Sequence, residues 1–179
     1  MMIITVYNPS YRIYRRWHRL CHEDDHVSLY IIQALDYRSF EAVEMRLLLD
    51  HVSAVFVCLY LPPSSKRNKL TNSKFLEEFP ELLSQYADSR RDVVYLGDFN
   101  FHYDDSSDGQ VSRLKTLLSD HSLTQLVNVP THKCGHILDW VVVHTESTCL
   151  SFEGVRDCPS LSDHKAVFCT TMLSSARWL

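Results

Sequence analysis

A chain of 179 residues with 45% hydrophobic and 22% charged residues can bury a substantial core within one domain and is too apolar for a disordered segment. Only 4 glycines and 6 prolines exclude fibrous and low-complexity classes, and a net charge of −4 without a basic tail leaves any nucleic-acid contact to local patches. The 6 cysteines form no Cys-x-x-Cys pair, which favours a reducing, intracellular setting, cytoplasmic or nuclear; residues 1–6 are too short for a signal peptide's apolar core, and no run is long enough to span a membrane.

Residues 1–26 stand apart from the rest. The stretch 11–20 is basic and aromatic, a composition that stacks on bases but is also that of a poorly ordered terminus. Cys21, His22 and His26 have no matching second ligand pair at zinc-finger spacing. Regular patterning begins at Val27. Residues 27–32 read as a strand, 41–47 alternate charged and apolar residues as a half-exposed strand does, and 52–60 form a third strand stopped by Pro62-Pro63. Their succession predicts antiparallel neighbours. Tyr60 ends the third strand, either as a core tyrosine or as a hydroxyl that touches phosphate.

Residues 71–87 repeat Phe75, Leu76, Phe79, Leu82, Leu83 and Tyr86 at helical spacing, with Thr71 or Asn72 able to cap the start. Pro80 inside that stripe predicts a kink or two short helices. The helix leads into the stretch 93–100, a short β-favouring run followed by Gly97, Asp98, Phe99 and Asn100. Gly97 marks a turn or a close backbone approach. In an extended chain the i, i+2 spacing puts Asp98 and Asn100 on one face. A carboxylate binds a hard cation or activates water, and an amide both accepts from water and donates to a phosphate oxygen. The pair suits phosphate-ester chemistry, although an ordinary strand exit looks the same.

Asp104, Asp105 and Asp108 lie in a polar loop that lacks the glycine and distal glutamate of a calcium site; Asp108 is placed to cap the helix carrying Val111, Leu114, Leu117 and Leu118. His132, Cys134 and His136 lack a fourth zinc ligand. Asp139 sits inside the apolar run 137–143, where an ionised carboxylate needs a partner. The chain offers one in Asp163-His164, just before a final strand. Asp139 orienting His164, with Asp98 and Asn100 opposite, makes a plausible phosphoesterase centre.

Leu59-Tyr60-Leu61-Pro62-Pro63, Gly97-Asp98-Phe99-Asn100, Leu138-Asp139-Trp140 and Ser162-Asp163-His164 together resemble the endonuclease/exonuclease/phosphatase superfamily, in family order, over residues 27–173. Gly-Asp-Phe-Asn-Phe-His and Pro-Thr-His…Gly-His…Leu-Asp are most similar to the apurinic-type endonuclease domain of non-LTR retrotransposons. The resemblance implies an α/β fold, a four-layer α/β/β/α sandwich of two mostly antiparallel sheets with outer helices. It also implies a monomer that hydrolyses a phosphodiester of DNA with Mg²⁺, or Mn²⁺ in its place. By position, Asp98 would orient or deprotonate the attacking water and Asn100 would hold it and the phosphate. His164 would stabilise phosphoryl charge with its ring fixed by Asp139, Tyr60 would touch the phosphate, and His102 would help bind substrate. Asp98, Asn100 and Asp163 would form the metal shell.

The family pattern also has an asparagine on a first strand and a metal-binding glutamate on an early second one. Residues 1–26 hold no strand-borne pair of that kind; Asn8 and Glu23 match by residue type alone, and Glu41 and Glu44 read as structural. The resulting expectation is an N-terminally incomplete domain over 27–173, flanked by an atypical 1–26 and a tail at 174–179, marginally stable and weakly active or inactive. Two other functions share the motifs: a non-catalytic relic or interaction module, and a phosphatase of small phosphorylated or lipid substrates.

Overall fold

The computed structural model describes residues 2–6, 27–49, 52–64, 71–89, 91–157 and 162–171. The expectations for residues 7–26, Asn8 and Glu23 among them, and for the tail lie outside these residues. The first strand, β1 (Met2–Val6), falls in a segment to which the sequence assigned no element. The next three, β2 (Val27–Asp36), β3 (Glu41–Leu49) and β4 (Val52–Tyr60), pair antiparallel in succession as their patterning predicts. Then come helix α1 (Asn72–Tyr86), β5 (Asp92–Asp98), α2 (Gly109–Asp120), β6 (Leu123–Gln125), β7 (Asp139–His144), β8 (Leu150–Arg156) and β9 (Ala166–Thr171).

These strands make two sheets, one of six in the order β2-β3-β4-β5-β7-β6 and one of three in the order β1-β9-β8. Only β4 and β5 run parallel, because α1 carries the chain back between them. Register settles which side chains share a face. Glu44, Val57, Tyr95 and Val142 are successive partners across β3, β4, β5 and β7. That face carries α1: the rings of Phe79 and Tyr86 meet Tyr95 edge-on at 6.4 and 6.1 Å. The opposite face, with Met45, Phe56, Val94 and Val141, shares one buried core with Val167 and Cys169 of the smaller sheet. Layers of helix, sheet and sheet follow from this arrangement. Among the described residues α1 and α2 are the only α-helices, so a helical layer outside the smaller sheet is not among them.

Thr71 caps α1 by accepting the Lys74 N–H, and of the expected alternatives, a kink or two short helices, the second does not hold: α1 is a single helix through Pro80. Its apolar stripe, with Phe75, Phe79 and Leu82 fully buried, holds the helix on the sheet and outweighs the lost backbone hydrogen bond. Asp108 caps α2 as expected, accepting the Gln110 N–H at 2.7 Å. Gly97 explains itself: its φ is 139°, and a Cβ there would lie 1.9 Å from the Leu59 carbonyl oxygen. The close approach of β4 that this permits places Tyr60 beside Asp98.

Candidate active site

A register row crosses the inter-sheet face at one end of the larger sheet. Glu41 opposes Tyr60, Tyr60 opposes Asp98, and Asp98 opposes Asp139, so four side chains from β3, β4, β5 and β7 point the same way. The last two are 5% and 1% exposed, unusual burial for carboxylates.

Asp139 has the partner its burial demands. Its Oδ2 lies 2.8 Å from Nδ1 of His164, which approaches from just ahead of β9. A carboxylate only accepts, so Nδ1 carries the proton and Nε2 faces away from Asp139. Burial works against charge on His164, but hydrogen bonding and attraction to Asp139, helped by Asp98 and Asp163, outweigh it and raise the His164 pKa. The other Asp139 oxygen, Oδ1, is buried and accepts no hydrogen bond. Asp98, Asp139 and His164 offer ligand atoms all within 4.8 Å of one another.

Strand β7 enters this site through Thr131. Its buried Oγ1 accepts the N–H groups of both Leu138 and Asp139 at 3.0 Å, fixing the backbone where the carboxylate emerges. On the far side, Trp140 stacks on Phe99 at 4.7 Å, and the Phe99 N–H donates to the Leu138 carbonyl. The loop after β5 is thereby clamped to the start of β7.

Asn100 meets Asp98, but not by strand alternation. Strand β5 ends at Asp98, and Asn100 has a φ of 48°, a left-handed conformation that asparagine tolerates. Its N–H donates to Asp98 Oδ1 at 3.0 Å, and its Nδ2 donates to Asp98 Oδ2 at 2.9 Å and to the Leu61 carbonyl at 2.7 Å. Both amide hydrogens are therefore used, and the group Asn100 can turn to a ligand is the acceptor Oδ1. The donation to a phosphate oxygen expected from residue type does not fit this geometry. Tyr60 stays a protonated donor: burial first, then the charges of Asp98 and Glu41, raise its pKa.

Two expected members stand elsewhere. Asp163 is grouped with His132 and His164 rather than with Asp98 and Asp139. His102 stacks on His136 at 3.9 Å, and His136 pairs with Asp104 at 3.0 Å; among the described residues nothing links His102 to Asp98, Asp139 or His164. The 132–136 segment is thus divided between the site and its rim, and among the described residues His132, Cys134 and His136 do not form one ligand group. Asp105 and Asp108 serve local hydrogen bonds while Asp104 holds the Ile137 N–H and His136, and the three form no common group. Thr131, His132 and Glu41 were missed as site residues. Pro-Thr-His was a usable signal for the first two, whereas Glu41 could be placed only by register.

A family model described as "Endonuclease-reverse transcriptase" matches residues 54–168, which include every site residue named here except Glu41. Among curated proteins no sequence matches. Solved structures share the fold, three of them as follows. The D. rerio TDP2 humanized by 14 mutations aligns with a TM-score of 0.56 and 12% identity, covering 80% of this chain and 67% of that one. The human Nocturnin catalytic domain gives 0.54 and 14%, with 82% and 60% coverage. The Bacteroides thetaiotaomicron mannosyl-6-phosphatase Bt3783 gives 0.52 and 12%, with 80% and 67%. The chain thus spans about two thirds of the length of its structural neighbours or less.

Proposed function

Because this chain belongs to the endonuclease/exonuclease/phosphatase superfamily, we propose that its phosphoester hydrolysis is that of a divalent-metal-dependent endonuclease of a retrotransposon-like element, nicking DNA. The observation that carries the reading is the meeting of Asp98 with the Asp139–His164 pair within 4.8 Å, next to a buried carboxylate oxygen that accepts nothing. Two buried carboxylates beside one imidazole leave the site negative, which repels a phosphodiester. A divalent cation reverses that sign.

The residues fit such a cation. Asp98, Oδ1 of Asp139 and Oδ1 of Asn100 are hard oxygen donors of the kind Mg²⁺ or Mn²⁺ takes. Glu41 stands two strands from Asp98, about 10 Å by ordinary strand spacing, a span that a glutamate side chain and one water can cross. It is a candidate for the early carboxylate of the family pattern. When bound, the cation would neutralise charge on the phosphoryl oxygens.

The chain's own groups divide the remaining work. Asp98, whose two oxygens accept from Asn100, is the carboxylate placed to take a water proton. Asn100 orients that water as an acceptor. His164, its ring fixed by Asp139, turns Nε2–H toward the phosphoryl oxygen that gains charge, and the Tyr60 hydroxyl donates beside it. The test is relaxation of supercoiled plasmid with Mg²⁺ or Mn²⁺, with and without chelator, beside a panel of inositol and sugar phosphates. Chelator-sensitive nicking supports the endonuclease. Turnover of the small esters with inert DNA would make the protein a phosphatase, and a folded chain inert toward both would make it a binding module.

A further inference from the structure

Two loop segments meet at His164. Lys133 N–H donates to the Asp163 carbonyl at 2.9 Å and Lys165 N–H to the Thr131 carbonyl at 2.6 Å; between these bonds His132 and His164 face each other as an isolated antiparallel bridge. A pair flanked by ladder bonds but making none itself holds its two side chains on one face, at the closest approach such pairing allows. The rings lie edge to face with centroids 4.8 Å apart. Asp163 turns its carboxylate to the same place, and the three residues offer ligand atoms all within 4.8 Å of one another.

Two imidazoles and a carboxylate make a donor set for zinc, whereas the oxygens of Asp98, Asp139 and Asn100 suit Mg²⁺. The spacing agrees. His132 Nε2 lies 3.4 Å from Asp163 Oδ2, long for a hydrogen bond. Ligand atoms about 2.0–2.2 Å from a tetrahedral zinc stand about 3.3–3.5 Å from one another. His164 is prepared as zinc-binding imidazoles are: Asp139 holds its Nδ1–H at 2.8 Å, which leaves Nε2 as the ligand nitrogen. Three protein ligands leave a fourth position for water. Two contacts stand against the ion, and both are weak. The Lys133 ammonium, 3.3 Å from the same oxygen, is 67% exposed and can swing into water. The Cys134 N–H donates to His132 Nδ1 at 3.2 Å; zinc on Nε2 moves the ring proton to Nδ1, and this exposed N–H turns to water instead.

We propose that His132, Asp163 and His164 form a second metal site, selective for Zn²⁺ over Mg²⁺, and that an ion bound there switches the phosphoesterase off. The ion takes Nε2 of His164, the atom that otherwise carries a proton to the phosphoryl oxygen, so the two uses of the ring exclude each other. The site stands on the three side chains alone; its effect on nicking rests on the function proposed above. It also gives a purpose to His132, an imidazole that the hydrolytic centre does not use.

The test uses the full 179-residue chain, stripped of metal. Zn²⁺ binding is measured by calorimetry in excess Mg²⁺, with Co²⁺ as a coloured probe. Wild type should bind Zn²⁺ despite the Mg²⁺ and show a visible Co²⁺ band that Zn²⁺ removes. His132→Gln should weaken Zn²⁺ binding more than about 100-fold, since losing a ligand exceeds the about 10–100-fold cost of losing a ligand's support. Asp163→Asn should weaken it too, and at 48% exposure this side chain can be changed without loss of the fold if His132→Gln does not fold. The chain has 10 histidines, so zinc held elsewhere would survive both substitutions; undiminished binding in the folded variants, or displacement of Zn²⁺ by excess Mg²⁺, would overturn the site. In Mg²⁺-driven nicking, Zn²⁺ should inhibit at the concentration at which it binds, and His132→Gln should raise that concentration by the factor seen in binding. Nicking undiminished with the site filled would overturn the switch. A chain that binds Zn²⁺ in this way and nicks nothing overturns the proposed function, and the switch with it, while the site stands.

Discussion

Asp139→Asn separates what this carboxylate does for the fold from what it does for the chemistry. In the wild-type protein Oδ2 makes a charge-assisted hydrogen bond to His164 and Oδ1 is buried without a partner. An asparagine can still accept from Nδ1–H, so replacing the charged bond by a neutral one costs about 1–1.5 kcal/mol. Removing an unsatisfied charged oxygen near Asp98 returns about 1–3 kcal/mol. The two nearly cancel, and without metal the net change should stay within about 1 kcal/mol, or about 2–4 °C in melting temperature for a chain of this size. Activity should fare differently. The amide removes the charge that stabilises the His164 imidazolium and no longer dictates its tautomer, so nicking should fall by roughly 10²–10⁴-fold. The stabilisation by Mg²⁺, about 2.7 kcal/mol for wild type at a hundredfold excess over its dissociation constant, should shrink as well. Thermal unfolding with and without Mg²⁺, alongside plasmid nicking, reads all three. A loss of more than about 4 kcal/mol without metal, or an unchanged nicking rate, would refute the reasoning.

Gly97→Ala should destabilise the fold by about 3 kcal/mol or more, because the Cβ meets the Leu59 carbonyl at a φ unfavourable to alanine; a denaturant midpoint equal to wild type would contradict this. The raised pKa of His164 adds stability that is fully present below its unfolded value, near pH 6.5, and is lost as pH rises through the higher folded value. The stability difference between wild type and His164→Gln should therefore narrow from pH 6 to pH 9, and a constant difference would count against the Asp139–His164 pair. Strand β2 is a sheet edge with Tyr30, Ile31 and Ile32 at 52%, 49% and 44% exposure, so Ile31→Lys should raise soluble yield with little change in melting temperature.

The pairings β2–β3–β4 were legible because three strand-like runs follow one another closely, the middle one alternating charged and apolar residues. The Asp139–His164 contact was legible for a different reason: a carboxylate in an apolar run demands a partner, and the chain supplies one imidazole at the edge of a late strand. Three strands escaped. In β8, Ser151, Glu153 and Gly154 dilute the pattern and the register shifts between Phe152 and Gly154; β6 is only 3 residues long; β1 owes its assignment to pairing with β9. Asn100 was read as an extended residue because spacing alone carries no sign of its left-handed backbone. His132 was weighed with its sequence neighbours Cys134 and His136, whereas its partners, Asp163 and His164, lie some thirty residues on. Glu41 gave no local signal at all; it joins the site only because two strand pairings carry its position across to Asp98.

The central claim is that the row ending in Asp98 and Asp139, completed by His164, hydrolyses phosphodiesters with a divalent cation. The most direct measurement is the rate at which the purified, folded 179-residue chain converts supercoiled plasmid to the nicked form in Mg²⁺, compared with the same protein in chelator and with His164→Ala. The account predicts nicking in Mg²⁺ that chelator abolishes and that His164→Ala lowers by roughly 10²–10⁴-fold. Nicking that survives chelation, or that His164→Ala leaves unchanged, would contradict it.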